Sequence, residues 1–408
     1  MNILFLTDNF PPEGNAPATR TYEHALRWVK AGHDVTVITC APNFPEGKVY
    51  EGYSNSFYSV SKLDGIKVVR VKTYITANEG FLKRILDYMS FMVTGFIAGI
   101  FQKKTDVVVA TSPQFFCACS GWALSAVRRK PFIFELRDIW PASITAVGAM
   151  KDSFIIKLLE KLELFLYHRA DSIVSVTHSF KSELVKRGVD ETKIEVVLNG
   201  VDLTKYQPVT CKDPEFVKQF NLEDKFIVGY VGTHGMAHGL ENIVSVAESL
   251  KENDNIRFIF AGGGAARKKV VDLVNQKQLK NIILIDRQPK EMMPKLWSLC
   301  DLSLVPLVNN ELFRTVIPSK IFECMGMGIP TIMSVPEGEA TAIINETASG
   351  LVVESENVEE IKNAILKLYN DIDLYNEIRV SSTNSAQLFS RDLMASKMLS
   401  IFSKVLNK

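Results

Sequence analysis

The 408-residue chain is poor in several features that special chemistry requires. It has only 6 cysteines, at positions 40, 117, 119, 211, 300 and 324. Cys117-Ala-Cys119 is their only close pair, and that spacing fits neither a zinc hook nor a redox Cys-x-x-Cys. They read as reduced core residues of a cytosolic protein. Charge of one sign is also missing: 47 Lys and Arg against 46 Asp and Glu leave +1, which excludes nucleic-acid binding through overall charge. There is no Walker A loop, no Gly-x-Ser-x-Gly, no zinc spacing and no Asp-x-Asp in a strand context. No apolar run is long enough to span a bilayer. The longest uncharged one, Met89 to Phe101, is about 13 residues against the roughly 20 required. A secretory signal is not expected, because Met1-Asn-Ile-Leu-Phe-Leu-Thr has no basic start and meets Asp8 early.

What is present is an ordinary globular balance, 47% apolar and 23% charged, with length for two or three domains. Short β-branched runs alternate with helical patterns. Expected strands are 2–6, 34–38, 67–71, 106–110, 131–135, 172–176 and 194–198, then 226–231, 256–261, 282–285, 302–305, 330–333 and 350–353. Continuous apolar strands separated by helices imply parallel sheets covered on both faces. Two such series imply an α/β protein of two doubly wound, Rossmann-like domains.

The most informative stretch is Glu311-Leu-Phe-Arg-Thr-Val-Ile-Pro-Ser-Lys-Ile-Phe-Glu-Cys-Met-Gly-Met-Gly-Ile-Pro330. Pro318 and Ser319 suit a helix start, Ile321, Phe322 and Met325 give the helix an apolar stripe, and Gly326 or Gly328 ends it. Its N-terminus would offer spare N–H groups and partial positive charge to an anion, with Lys320 and Glu323 in the first two turns.

These residues resemble the family 4 glycosyltransferases, retaining enzymes of the GT-B fold. Their hallmark is a Glu, seven residues, and a second Glu before a glycine-containing helix end. Glu323 matches the second, which grips the ribose hydroxyls in that family, while Thr315 stands where the first belongs. The Pro-Ser-Lys-Ile-Phe-Glu form is similar to a subgroup of bacterial O-antigen and capsule sugar transferases that includes N-acetyl-L-fucosamine transferases. Leu198-Asn-Gly-Val-Asp to Pro208 resembles the family's interdomain hinge. The resemblance implies an acceptor-side domain over 1–204, a nucleotide-sugar-binding domain over 205–388, and a C-terminal helix, 389–408, packed back on the first. The two would face one another across a cleft.

Other strand ends carry the remaining candidates. Phe10-Pro-Pro-Glu-Gly-Asn-Ala-Pro-Ala-Thr-Arg20 follows the first strand, with Gly14 and Asn15 permitting close backbone approach and Arg20 one turn into a helix. It is not a dinucleotide fingerprint, and no acidic residue closes the second strand. In Phe134-Glu-Leu-Arg-Asp-Ile-Trp-Pro141, Asp138 is placed to take an acceptor proton or orient the donor. The ordinary alternative pairs Arg137 with Asp138 and buries Trp140. Gly229-Tyr-Val-Gly-Thr-His-Gly-Met-Ala-His-Gly239 reads as a phosphate cradle containing Gly232 and Gly235. Relatives place Arg and Lys where Thr233 and His238 stand here. Either the backbone and His238 suffice, or Lys320, Arg20 or Arg267 supplies the charge, and Lys320 is favoured. His234 and His238 have no carboxylate partner nearby, so no metal site is expected. Arg267 follows a second glycine loop, and Arg287 and Gln288 are candidates for the base pocket.

The resemblance thus gives catalytic roles to Asp138 and Lys320. It gives donor contacts to Gly14, Asn15, Arg20, Gly232, Gly235, His238, Arg267, Arg287, Gln288, Glu323 and the run Thr315, Val316, Ile317, Pro318 and Ser319. The implied reaction transfers a sugar from a nucleotide-diphospho-sugar, UDP-linked, to a lipid-diphosphate-linked saccharide at the inner face of a bacterial plasma membrane. No metal is expected in it. Phe81 to Lys104, basic at both ends, is either a buried helix or one lying in the membrane interface. The rival readings are a UDP-sugar 2-epimerase of the same fold, a non-catalytic membrane-associated scaffold, and a nicotinamide reductase.

Overall fold

The computed structural model describes residues 1–44, 46–76, 81–112, 115–139 and 154–407. They form two compact units, one of 1–198 with 392–408 and one of 199–391. In the first, β1 (Asn2–Leu6), β2 (Asp34–Cys40), β3 (Tyr58–Leu63), β4 (Ile66–Val71), β5 (Val107–Thr111), β6 (Phe132–Leu136), β7 (Ser172–Ser175) and β8 (Ile194–Val196) make one sheet. Its order is β3-β4-β2-β1-β5-β6-β7-β8. All neighbours run parallel except β3 and β4. In the second unit, β9 (Phe226–Val231), β10 (Ile256–Ala261), β11 (Ile282–Ile285), β12 (Leu302–Pro306), β13 (Thr331–Ser334) and β14 (Gly350–Val353) form a wholly parallel sheet of order β11-β10-β9-β12-β13-β14. Every strand expected from the apolar runs forms, with ends shifted by at most two residues.

The strands are apolar throughout because both faces are covered. Along β1, Leu4 and Leu6 join one buried cluster while Ile3 and Phe5 join the other. The second of these is completed by the last helix, Arg391–Leu406, through Met394, Met398, Phe402 and Val405. Trp28 fixes that helix, donating Nε1–H to the Ala395 carbonyl at 3.1 Å and meeting the Phe402 ring edge-on. Each such buried side chain contributes about 1.5–3 kcal/mol. Asn199 to Asp202 belongs to the second unit because its backbone pairs with the segment just before the last helix. Val201 N–H donates to Phe389 O, and Arg391 N–H donates to Val201 O at 2.8 Å.

β3 was not expected. It is an exposed edge strand, so no buried face stamps a pattern on it. Phe81–Ile100 is one helix of mixed character. Phe91 and Ala98 are buried, and Gly99 lies against Leu124 of the neighbouring helix Phe115–Arg128. The opposite face leaves Leu86, Met89, Val93, Ile97 and Ile100 42–53% exposed. Among the described residues no helix is long and apolar enough to cross a membrane.

Candidate functional site

In the second unit the chain leaves β9 towards β10 and β11, then returns to β9's other side with β12. That reversal opens a crevice beyond the carboxyl ends of β9 and β12, the position where parallel α/β sheets bind ligands. Residues 232–239 follow β9, and residues 307–319 follow β12 and lead into the helix Lys320–Met327. The two loops are joined by a hydrogen bond from Val308 N–H to Ala237 O, 2.9 Å.

The loop after β9 is braced by the one after β10. His234 N–H donates to Gly263 O, and Ala266 N–H donates to His234 O. This packing is possible only without side chains. A Cβ on Gly262 would lie 1.8 Å from Gly232 O, and one on Gly264 would lie 2.6 Å from His234 O. Both glycines also hold positive φ, 144° and 147°. Their role is to seat the Gly232–His238 loop. Gly263 between them faces Arg287, whose Cβ would lie 3.5 Å from an added methyl.

Lys320 enters this crevice from the first position of its helix. Its Nζ is shielded from solvent and has no hydrogen-bond partner. It rests 3.8 Å above the Tyr230 ring, and a Cβ on Gly232 would lie 3.3 Å from it. Burial lowers its pKa from 10.5 to about 8. A desolvated ammonium with only an aromatic face beneath it is costly and calls for an anion. Tyr230 is itself fixed by donating its hydroxyl to Thr233 O at 2.5 Å.

His238 is not a second cation. Burial, with the Lys320 charge adding, lowers its pKa to about 4, so at neutral pH its Nδ1 is free to accept the Gly235 N–H at 3.2 Å. His234, fully buried, is held neutral in the same way, with Arg267 and Lys320 reinforcing burial. Ser319 does not cap the helix with its side chain. It already has helical angles, and Phe322 N–H bonds its carbonyl instead. The helix ends at Gly328 in a left-handed conformation.

Glu323 is held by a residue that the spacing did not suggest. Buried Trp297 donates Nε1–H to Glu323 Oε2 at 3.1 Å, which orients the carboxylate. Arg267 is tied to Phe260 O and to Asp286, 2.9 Å, so its charge is already matched. Arg287 is exposed, and Gln288 bonds the Asp286 carbonyl. Thr315 closes a short 3-10 turn by donating to Leu312 O; Val316 caps that turn, and Ile317 is buried ahead of Pro318.

In the first unit Gly14 is exposed with open space around it. Asn15 caps the helix Ala16–Lys30, its Oδ1 accepting from Ala18 N–H. Arg20 is buried in an ion pair with Glu135, 3.1 Å, each 2% exposed, so its charge is matched within this unit. Asp138 follows β6, where its backbone N–H meets Ser112 Oγ at 3.3 Å. Trp140 and Pro141 lie outside the described residues. The structure therefore brings Gly232, Gly235, His238 and Lys320 together around Tyr230.

Comparison with known proteins gives this arrangement a family. The sequence model described as Glycosyltransferase Family 4 matches residues 17–205, and that described as Glycosyl transferases group 1 matches residues 212–384. The chain is 26% identical over 372 residues to the glycosyl transferase WcaI of Escherichia coli (strain K12), whose name assigns it to colanic acid biosynthesis. That alignment covers 88% of this chain and 90% of WcaI. Among solved structures, sucrose-phosphate synthase of Thermosynechococcus elongatus is similar with a TM-score of 0.80 at 16% identity, over 100% of this chain and 99% of the other. Anabaena Alr3699/HepE in complex with UDP and glucose is similar with a TM-score of 0.71 at 16% identity, over 99% of each chain. With two Rossmann-like units of the GT-B type and the two family models side by side along its length, the chain belongs to the family 4 glycosyltransferases.

Proposed function

We propose that this glycosyltransferase moves a sugar, an N-acetylated amino sugar among the candidates, from a UDP-linked donor to a lipid-diphosphate-linked saccharide, with retention at the anomeric carbon. The product would be a bacterial surface polysaccharide of the O-antigen or capsule type. The observation that carries this reading is Lys320, a buried ammonium without a hydrogen-bond acceptor at the mouth of a glycine loop and a helix N-terminus. A diphosphate supplies the missing anion. The neighbour Alr3699/HepE, solved with UDP and glucose, supports UDP as the nucleotide. The name of WcaI supports the polysaccharide assignment.

In this reading the acceptor oxygen replaces the diphosphate oxygen on the same face of the anomeric carbon, and UDP departs. Lys320 and the N–H groups of its helix carry the growing negative charge without a metal. Glu323, aimed by Trp297, receives the ribose hydroxyls. Arg287 and Gln288 border the base, and Thr315 to Ser319 border the sugar. Asp138 takes the acceptor proton or orients the donor. The exposed apolar stripe on Phe81–Ile100, with exposed Lys83, Arg84, Lys103 and Lys104 at its ends, is proposed to meet anionic lipid.

Calorimetric titration with UDP, GDP and NAD tests the reading. Micromolar UDP binding without added metal supports it, binding of NAD alone overturns it, and binding of none points first to another nucleotide or an acceptor-dependent site and then to a scaffold.

A further inference from the structure

After β14 the chain turns through Glu354-Ser355-Glu356-Asn357 into the helix Val358–Asn370, which Asn357 caps by accepting the Glu360 N–H at 3.1 Å. Within that turn Glu356 holds φ at +64°. Glycine takes this left-handed backbone freely and Asn or Asp tolerates it, but a longer side chain adopts it at a cost. Glu356 is therefore strained where a glycine would be relaxed. Strain of this kind collects where the side chain does something that glycine cannot.

The Glu356 side chain, although exposed, bridges two other segments. Its Oε1 accepts from the Asn242 amide at 3.2 Å, and its Oε2 accepts the Asn309 backbone N–H at 2.9 Å, both charge-assisted. Asn242 is in the first turn of the helix Leu240–Ser249, which begins directly after the loop 232–239. Asn309 is in the loop after β12. The next residue, Asn310, caps the 3-10 turn Glu311–Thr315, which leads to Pro318, Ser319 and Lys320. One carboxylate thus ties together the two segments that line the crevice. The neighbouring acids act only locally in their own turn and helix start. Glu354 Oε2 and Glu360 Oε1 both accept from the Asn357 amide, and Glu360 Oε2 accepts the Glu354 N–H.

The turn itself is a firm anchor. Ser334 Oγ donates to Glu354 O at 3.1 Å and accepts the Glu356 N–H at 3.3 Å, and Ser355 Oγ donates to Leu307 O at 2.6 Å. Leu307 N–H donates to Ser334 O, and Val308 N–H to Ala237 O, each at 2.9 Å. Beyond Asn309, Leu312, Phe313 and Thr315 make their bonds inside the 3-10 turn. The tie at Asn309 is therefore where this segment takes its register against the helix Leu240–Ser249.

We infer that Glu356 is a positioning residue for donor binding, its carboxylate setting the segment 309–319, and with it Lys320, against the glycine loop. It acts through Asn309 and Asn242, not by contact with the donor. The inference rests on the proposed transferase reading and adds to it a residue that holds the crevice in shape.

The test compares the wild type, Glu356→Gly, Glu356→Gln and Asn242→Ala by UDP calorimetry, thermal melting and hydrogen–deuterium exchange. Glu356→Gly relaxes the left-handed backbone while removing both bonds, so its melting temperature should stay within about 3 °C of the wild type. Its UDP affinity should nevertheless fall about fivefold to tenfold. Peptides covering 307–319 should exchange about threefold faster or more, and those covering β9 and β12 should not change. Glu356→Gln keeps an oxygen for the Asn309 N–H and an amide for the Asn242 side-chain carbonyl, so it should bind UDP within about twofold of the wild type. Asn242→Ala leaves the turn untouched and should weaken UDP binding about threefold. It decides the matter if Glu356→Gly melts far lower. Wild-type UDP affinity in Glu356→Gly or in Asn242→Ala would overturn the inference. So would unchanged exchange of 307–319 in Glu356→Gly, or a Glu356→Gln that binds as weakly as Glu356→Gly. Failure of the wild type to bind UDP strikes the transferase reading instead, and the exchange of 307–319 then decides whether Glu356 sets that segment.

Discussion

Lys320 Nζ lies 3.8 Å from the centre of the Tyr230 ring and donates to no oxygen. Without a ligand this arrangement works against the fold, because desolvation of the ammonium exceeds what the ring returns. Lys320→Met removes the charge and keeps most of the volume. It should raise the melting temperature of the ligand-free protein by a few degrees while weakening UDP binding. A fall in melting temperature would show that the ammonium supports the fold instead.

The same residue sets a pH dependence. Burial holds its folded-state pKa near 8, below the 10.5 of the unfolded chain, so between those values the unfolded chain binds more protons. Stability should therefore rise as pH climbs through that window, and UDP binding should weaken across it as the ammonium is lost. Denaturant titrations and calorimetry at matched pH check both slopes. Lys320→Met should flatten each.

Glu323 holds the Trp297 N–H and, in the proposed function, the ribose, and substitution can separate the two. Removing its carboxylate leaves the Trp297 N–H, buried beneath it, without an acceptor, a cost of about 1–3 kcal/mol. Glu323→Ala should thus lose stability and UDP affinity together. Glu323→Gln keeps an acceptor for Trp297, so stability should hold while UDP affinity falls by roughly 1.5–3 kcal/mol. Equal melting temperatures for the two variants would remove Trp297 from the account.

Gly262→Ala should be far more damaging than Gly263→Ala. The first puts a methyl 1.8 Å from a backbone oxygen, and the second meets only Arg287 at 3.5 Å. The expected loss is about 3 kcal/mol or more against under about 1 kcal/mol, read from denaturant midpoints.

The parts of the molecule legible in the sequence were those where burial imposes a pattern. Fully covered parallel strands such as Phe226–Val231 read as unbroken apolar runs, and the Pro318-to-Gly328 stretch announced its helix and its end. β3 was missed because Tyr58 and Val60 are about half exposed. Its signal lay instead in the turn, where Asp64 and Gly65 both hold positive φ between β3 and β4 as an Asp-Gly hairpin requires. Among the candidate cations the sequence favours Lys320 for its place at a helix start, and packing separates it from the others. Arg20 and Arg267 are spent on Glu135 and Asp286, His238 is neutral, and Lys320 stands alone over a ring that no motif marks. The helix Phe81–Ile100 defeated periodicity because its buried and exposed faces are both apolar.

That helix yields a prediction. Val93 and Ile97 are about half exposed, so Val93→Glu with Ile97→Glu should leave folding and UDP affinity unchanged. Cosedimentation with phosphatidylglycerol vesicles should weaken by about tenfold or more. Unchanged cosedimentation would remove the stripe from membrane contact.

The most direct test of the central claim is calorimetric titration of UDP into the wild type and Lys320→Met at neutral pH, where burial leaves Lys320 charged. The account predicts that the variant folds and binds UDP about 2 kcal/mol, roughly 30-fold, more weakly. UDP affinity equal to the wild type in a folded Lys320→Met would contradict it.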